Sequence, residues 1–216
     1  MPIGWVARTA VLSCVASLVV GCGGIAVEAT PTLPAEESNM PTPASTLAQL
    51  MVDMSSDDAA VRLVSTYALE GYGEEAGVAV PLLVVNLHDE DFDVRRAAAY
   101  VLGTLGPIAR ASLPELVGAL QDDPYIHARV EAAEALGSIG DPSAVPALAQ
   151  SLLDDIGPSY EVSIVCALSI ATITGERFEN PHPGAYELNE DGVPLLVVDA
   201  RKWWESTGRF LNWRSK

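Results

Sequence analysis

Three dipeptides at a fixed spacing constrain this chain more than anything else in it. Val61-Arg62, Val94-Arg95 and Ala128-Arg129 lie 33 and then 34 positions apart, and each opens an apolar helical pattern. A period of this length marks a repeat array, in which each unit is one supersecondary element that cannot bury its apolar face alone and must stack on its neighbours. Each pattern also stops alike. Leu69-Glu70-Gly71-Tyr72-Gly73, Leu102-Gly103-Thr104-Leu105-Gly106 and Leu136-Gly137-Ser138-Ile139-Gly140 put glycine where a helix is expected to end and the chain to turn. Val80-Pro81-Leu82-Leu83, Leu113-Pro114-Glu115-Leu116 and Val145-Pro146-Ala147-Leu148 then recur at 33 and 32 residues, each a second helix marked by proline near its start.

Within the second unit Val94, Ala97, Ala98, Val101 and Leu102 fall at i, i+3, i+4, i+7 and i+8, one stripe on a helix. Alanine at its centre lets neighbouring backbones approach, so the unit is built to stack and not to surround a cavity. No window alternates with period two for more than a few residues, which argues against strands. Asp123-Pro124 and Asp141-Pro142 are expected to supply an N-cap followed by proline at the first helical position. Carrying the register forward puts Val162, Val165, Cys166, Ser169 and Ile170 on a fourth stripe, closed by Thr174-Gly175. Cys166 there takes the place of Ser65, Ala98 and Ala132, a small residue between packed helices rather than a nucleophile. Ser163 stands where the other units have arginine, and an insertion from Glu176 to Asp191 precedes Val193-Pro194-Leu195-Leu196. Upstream, Leu47, Leu50, Met51 and Met54 followed by Ser55-Ser56-Asp57-Asp58 read as a half-unit that covers the N-terminal end of the stack.

The paired helices, the period, the turn glycines, the second-helix proline and the Val-Arg or Ala-Arg start resemble the HEAT-like repeats of the phycobilisome-lyase type, over residues 47 to 206. The resemblance implies an all-α fold, a right-handed α-α superhelix of about four helix pairs. It also implies that Arg62, Arg95 and Arg129 contact acidic groups of the adjacent repeat, forming a structural ladder that ends at Ser163. The tail, Thr174-Gly175-Glu176-Arg177-Phe178 and later Lys202-Trp203-Trp204-Glu205, is similar to the closing segment of many bacterial HEAT proteins, with a longer loop between.

Residues 1–21 differ sharply from the array. A single charge, Arg8, precedes a mostly apolar run from Val11 to Val20. At about ten residues that run is too short for a bilayer span, which needs ~20, and suits a cleaved export signal. The segment ends in Leu18-Val19-Val20-Gly21-Cys22, which resembles a bacterial lipobox and implies that Cys22 is acylated. The alternative is an ordinary secretory signal with a chance cysteine. With Cys14 lost and Cys22 lipidated, Cys166 is left without a disulfide partner, so stability rests on packing. Residues 22–45, rich in Gly, Pro, Thr, Ala and Glu, read as a semi-extended linker carrying the lipidated cysteine. The expected organisation is thus signal 1–21, linker 22–45, repeat array 46–206 and tail 207–216.

Chemistry is sparse. The three histidines, His88, His127 and His182, form no H-x-x-x-H or H-E-x-x-H pair, so neither a metal site nor a catalytic residue is expected. The HEAT-like metal hydroxylases bind iron through repeated His-Glu pairs, which are missing here. Asp89-Glu90-Asp91, Asp122-Asp123 and Asp154-Asp155 recur at turns between units, where caps and solubilising charges belong. A formal charge of −17 opposes binding to nucleic acid. No cofactor is expected.

The expected function is a non-enzymatic, membrane-anchored scaffold of the bacterial cell envelope that binds another protein or an extended peptide. His182 and Tyr186 in the insertion are the candidate specificity residues. Three of the four tryptophans, Trp203, Trp204 and Trp213, fall near the end; they are read as a cap, with Trp213 the one expected to be freest for binding. Two alternatives stand: a lyase-like enzyme handling a tetrapyrrole chromophore, implied by the family resemblance alone, and a cell-envelope glycan binder using the tryptophans.

Overall fold

The computed structural model describes residues 46–154, 160–178 and 187–214, and over these the chain is a helical repeat solenoid. Helix α1 (Leu47–Asp53) precedes four pairs: α2 (Ala59–Ala68) with α3 (Val80–Asn86), α4 (Phe92–Leu105) with α5 (Leu113–Asp122), α6 (Ile126–Ile139) with α7 (Val145–Asp154), and α8 (Glu161–Thr174) with α9 (Leu195–Ser206). The first helices α2, α4, α6 and α8 pack side by side in one layer, while α5, α7 and α9 pack in a second. Extended pairing among the described residues is limited to one isolated bridge, Leu188 with Pro194.

The apolar stripe is the seam between the layers. Val94, Ala97, Ala98, Val101 and Leu102 are all fully buried, as are Ala132, Leu136, Cys166 and Ile170 in the following units. Leu50 of α1 and Met54 just after it are also buried, covering the stack beside α2 as a half-unit should. Cys166 is fully buried at the position of Ala98 and Ala132.

Two sequence expectations change. Gly103 and Gly137 are not helix ends; each lies inside its helix, three residues before the glycine that closes it. The closing residues are Gly106 and Gly140, with φ of 55° and 71°, backbone that a β-carbon disfavours. The internal glycines instead set how closely the helices approach. A Cβ at Gly103 would sit 3.1 Å from Ala135 Cα, and one at Gly137 would sit 2.6 Å from Ser169 Oγ.

The second change concerns capping. Asp58 and Asp91 cap α2 and α4, accepting the amides of Ala60 at 2.8 Å and Asp93 at 2.9 Å. Asp141 caps the short 3-10 turn Pro142–Ala144 through Ser143 N–H, as its sequence suggested. Asp123 does not cap α6, which starts only at Ile126 after Tyr125. Its carboxylate accepts the Tyr125 amide in a local turn and is otherwise taken by Arg95.

Candidate interaction surface

The turns between units hold the strongest electrostatics. Arg62 donates from Nε and Nη2 to both oxygens of Asp89, each at 2.7 Å, and from Nη1 to the Ser56 and Asp57 carbonyls. Arg95 repeats the arrangement one unit on. It donates to both oxygens of Asp123, at 2.6 and 3.0 Å, and to the Asp89 and Glu90 carbonyls. Asp89 therefore serves two rungs, one through its side chain and one through its main chain. Burial raises the Asp89 pKa, but the hydrogen bonds from Arg62 and the Asp91 amide, with the charges of Arg62 and Arg95, outweigh it and hold the carboxyl below its ordinary range.

The ladder does not continue evenly. Arg129 has no carboxylate partner among the described residues, and its Nε is buried without a hydrogen bond. In the fourth unit Ser163 donates to the Leu152 carbonyl at 3.4 Å, and Arg201 of α9 donates to the same oxygen at 3.0 and 2.8 Å. Arg110 adds an ion pair to the buried Asp141 at 2.6 Å. Neither Arg201 nor Arg110 stands in the repeat register, so the period alone could not single them out.

The second helices present a different surface. Aligned on the prolines of α3, α5 and α7, with Leu50 of α1 matched to Leu83, they place Ala48, Pro81, Pro114 and Pro146 at one exposed register position. One turn on, a second row holds Val52, Val85, Gly118, Gln150 and Val198, with Val52 and Val85 67% and 64% exposed. Neither row contains a charge in a chain of which 19% of residues are charged. Between the C-terminal ends of α3 and α5 the second row opens into a cleft of about 420 Å³ bordered by Leu87, His88, Gly118, Ala119, Asp122 and the Arg95–Asp123 pair.

On the first-helix layer, two acids of α6 come together. A cleft of about 130 Å³ is lined by Tyr100, Thr104, Glu131, Glu134 and Ser138. Burial and the neighbouring Glu134 push the Glu131 pKa up, against the pull of Arg96 and His127. Tyr100 donates to Glu70 at 3.1 Å, and that hydrogen bond raises its own pKa. No group of three or more His, Cys, Asp or Glu gathers as a metal site among the described residues.

At the C-terminal end Trp203 packs against Phe178, Trp204 and Trp213, with ring centroids 5.8, 6.4 and 6.1 Å away. Trp213, the tryptophan expected to be freest, is half-buried and donates from its indole N–H to the Gly208 carbonyl at 2.8 Å. A Cβ at Gly208 would lie 2.7 Å from both Trp203 and Trp204, so the turn holding Trp213 needs glycine. His182 and Tyr186 of the insertion, and Cys22, lie outside the described residues.

Residues 44–125 and 80–169 match the family profile of HEAT repeats, together spanning more than half of the chain. Among curated proteins the sequence finds no match. Of solved structures, the complex of CpcE and CpcF of phycocyanin lyase from Nostoc sp. PCC7120 is similar at 23% identity, covering 69% of this chain and 71% of that one with a TM-score of 0.51. Human deoxyhypusine hydroxylase in complex with glycerol is similar at 29% identity with the same TM-score of 0.51, over 63% of this chain but only 46% of its own. The first likeness is one of fold alone.

Proposed function

The chain belongs to the HEAT-repeat family, and on that premise we propose that it is a non-enzymatic interaction scaffold whose second-helix layer receives another protein. The observation that carries this is the uncharged double row on α1, α3, α5 and α7. Uncharged rows whose valines are about two-thirds open are costly to leave in water and suited to burial against a partner. The arginines and aspartates of the turns, by contrast, are engaged in holding the stack.

Acylation at Cys22 would hold such a scaffold on the outer side of a cell-envelope membrane, since two or three acyl chains anchor firmly where one is marginal. That part of the proposal rests on the lipobox-like sequence before Cys22. The test is site-specific photo-crosslinking in the producing cells. A crosslinker at Val52 or Val85 should form discrete protein adducts, and one at Thr104 or Glu134 should not. Adducts from the second pair alone would overturn the assignment. Mass spectrometry of the purified chain decides the anchor: an unmodified Cys22 in the membrane-extracted protein would rule it out.

A further inference from the structure

Gly118 is out of place for an ordinary helix position. It lies inside α5, where glycine weakens a helix, yet an added Cβ would meet no atom within 4 Å. Packing therefore does not require it, in contrast to Gly103 and Gly137, where a neighbouring helix occupies the space. What the missing side chain does is open the surface. Gly118 interrupts the outward row between Val85 and Gln150, and it borders the cleft between α3 and α5.

The walls of that cleft have two characters. Leu87, itself buried, and half-buried Ala119 make an apolar floor beside Gly118. Asp122 stands exposed at the rim and makes no ion pair among the described residues, while Asp123 is already committed to Arg95. The cleft, about 420 Å³, is open to solvent on its outer side, so a side chain laid along the surface can enter it.

Resting on the reading of the second-helix layer as the binding face, we infer that this notch anchors an extended segment of a partner protein by one large apolar side chain, seated over Gly118, with an adjacent lysine or arginine paired to Asp122. The apolar side chain takes the space a residue at position 118 would have filled. The cation complements a rim, and a chain, with a strong excess of acid. An acidic segment would meet Asp122 and the formal charge of −17 together and be excluded.

The probe is a display library of random linear peptides panned on the full chain. Enriched peptides should share a large apolar residue next to Lys or Arg. Their affinity should fall by about tenfold or more in G118W, which fills the notch, and in D122K, which reverses the rim charge. Urea unfolding of both variants should stay at or above the wild-type midpoint, because position 118 has room and Asp122 is exposed. Enrichment of acidic peptides, no enrichment, or peptides that bind G118W and D122K as tightly as wild type each overturns the notch. V85E separates the two levels of the argument. Binding lost in V85E but kept in G118W leaves the face and removes the notch, and binding kept in all three variants removes both.

Discussion

Gly137→Ala sets two opposed effects of known size against each other. Removing a glycine from a helix interior gains about 1 kcal/mol in propensity. Against that, the new Cβ of α6 would lie 2.6 Å from Ser169 Oγ, 2.8 Å from its Cβ and 3.1 Å from its Cα on α8. The last of these is backbone, so a rotamer change cannot relieve it and the two helices must separate. Overpacking of this kind costs about 1–3 kcal/mol. The separation also strains the bond from Ser169 Oγ to the Ala133 carbonyl, 2.8 Å long and buried, for about 1 kcal/mol more. The net expectation is destabilisation of about 1–3 kcal/mol, where propensity alone predicts a gain. Gly118→Ala is the control: the same exchange with nothing to meet should stabilise by about 0.5–1 kcal/mol. Urea unfolding of the full chain followed by helical circular dichroism measures both. In G137A/S169G the clash with Oγ and Cβ is gone, and the pair should show a favourable coupling of about 1 kcal/mol. If G137A matches or exceeds G118A in stability, glycine does not set the α6–α8 distance and the reasoning fails.

Other consequences follow from the turns and the aromatic end. R95M leaves Asp123, only 4% exposed, without its cation and should cost about 3–5 kcal/mol in urea unfolding, whereas R129M, with no carboxylate partner among the described residues, should cost about 1 kcal/mol. Asp89 has a lowered native pKa, so its contribution is complete above the unfolded value near about pH 4 and is lost as pH falls through the native one. D89N should accordingly be less stable at neutral pH and show a flatter loss on acidification, and an unchanged acid limb would contradict this. Glu131 has the opposite sign: its raised pKa means that the native state resists its charge, so E131Q should stabilise at pH 7, with the gain shrinking as pH falls below the raised value and gone below the unfolded one. G208A should push the Trp203 and Trp204 rings apart, red-shift tryptophan emission and lower the melting midpoint, since the added Cβ lies 2.7 Å from both rings.

The period of Val61-Arg62, Val94-Arg95 and Ala128-Arg129 carried the helix pairs, the buried stripe and the half-unit at α1, because each follows from one stretch of chain and its local periodicity. The contact glycines differ from the sequence expectation for a physical reason. Gly103 and Gly106 look alike in sequence, and only the neighbouring helix, a unit away, distinguishes a residue that must lack a Cβ for packing from one that must lack it for φ. Asp123 failed as a cap in the same way: it suits the role locally, and Arg95 from the preceding unit claims it. The uncharged rows were in the sequence too, at Val52, Val85 and Gly118, but a row across helices is visible only once the second helices are aligned side by side. Arg201, the cation that meets the carbonyl of Leu152 where Ser163 replaces arginine, lies on α9, beyond any spacing the repeat defines.

The same features that fix the stack also bear on what can lie across it. The ladder couples the first three pairs through the turns between them, and Gly103 and Gly137 bring the first helices close, so the spacing of the second helices is inherited from a rigid layer rather than adjusted to a ligand. Packed helices stand about 8–10 Å apart. A polyproline II chain advances about 3.1 Å per residue with three residues per turn, so one laid across the layer moves from one helix to the next in about three residues and presents the same face there. Its side chains then meet Gly118, Gln150 and Val198 in turn at every third position along the packed helices α5, α7 and α9. A partner helix, rising about 1.5 Å per residue, would need roughly six residues for the same step and would turn its contacting face away between rows. The peptides selected on this surface should therefore be extended, with small or apolar residues recurring every third position around the one that enters the notch at Gly118. A helical consensus with apolar residues at i, i+4 and i+7 would contradict that geometry.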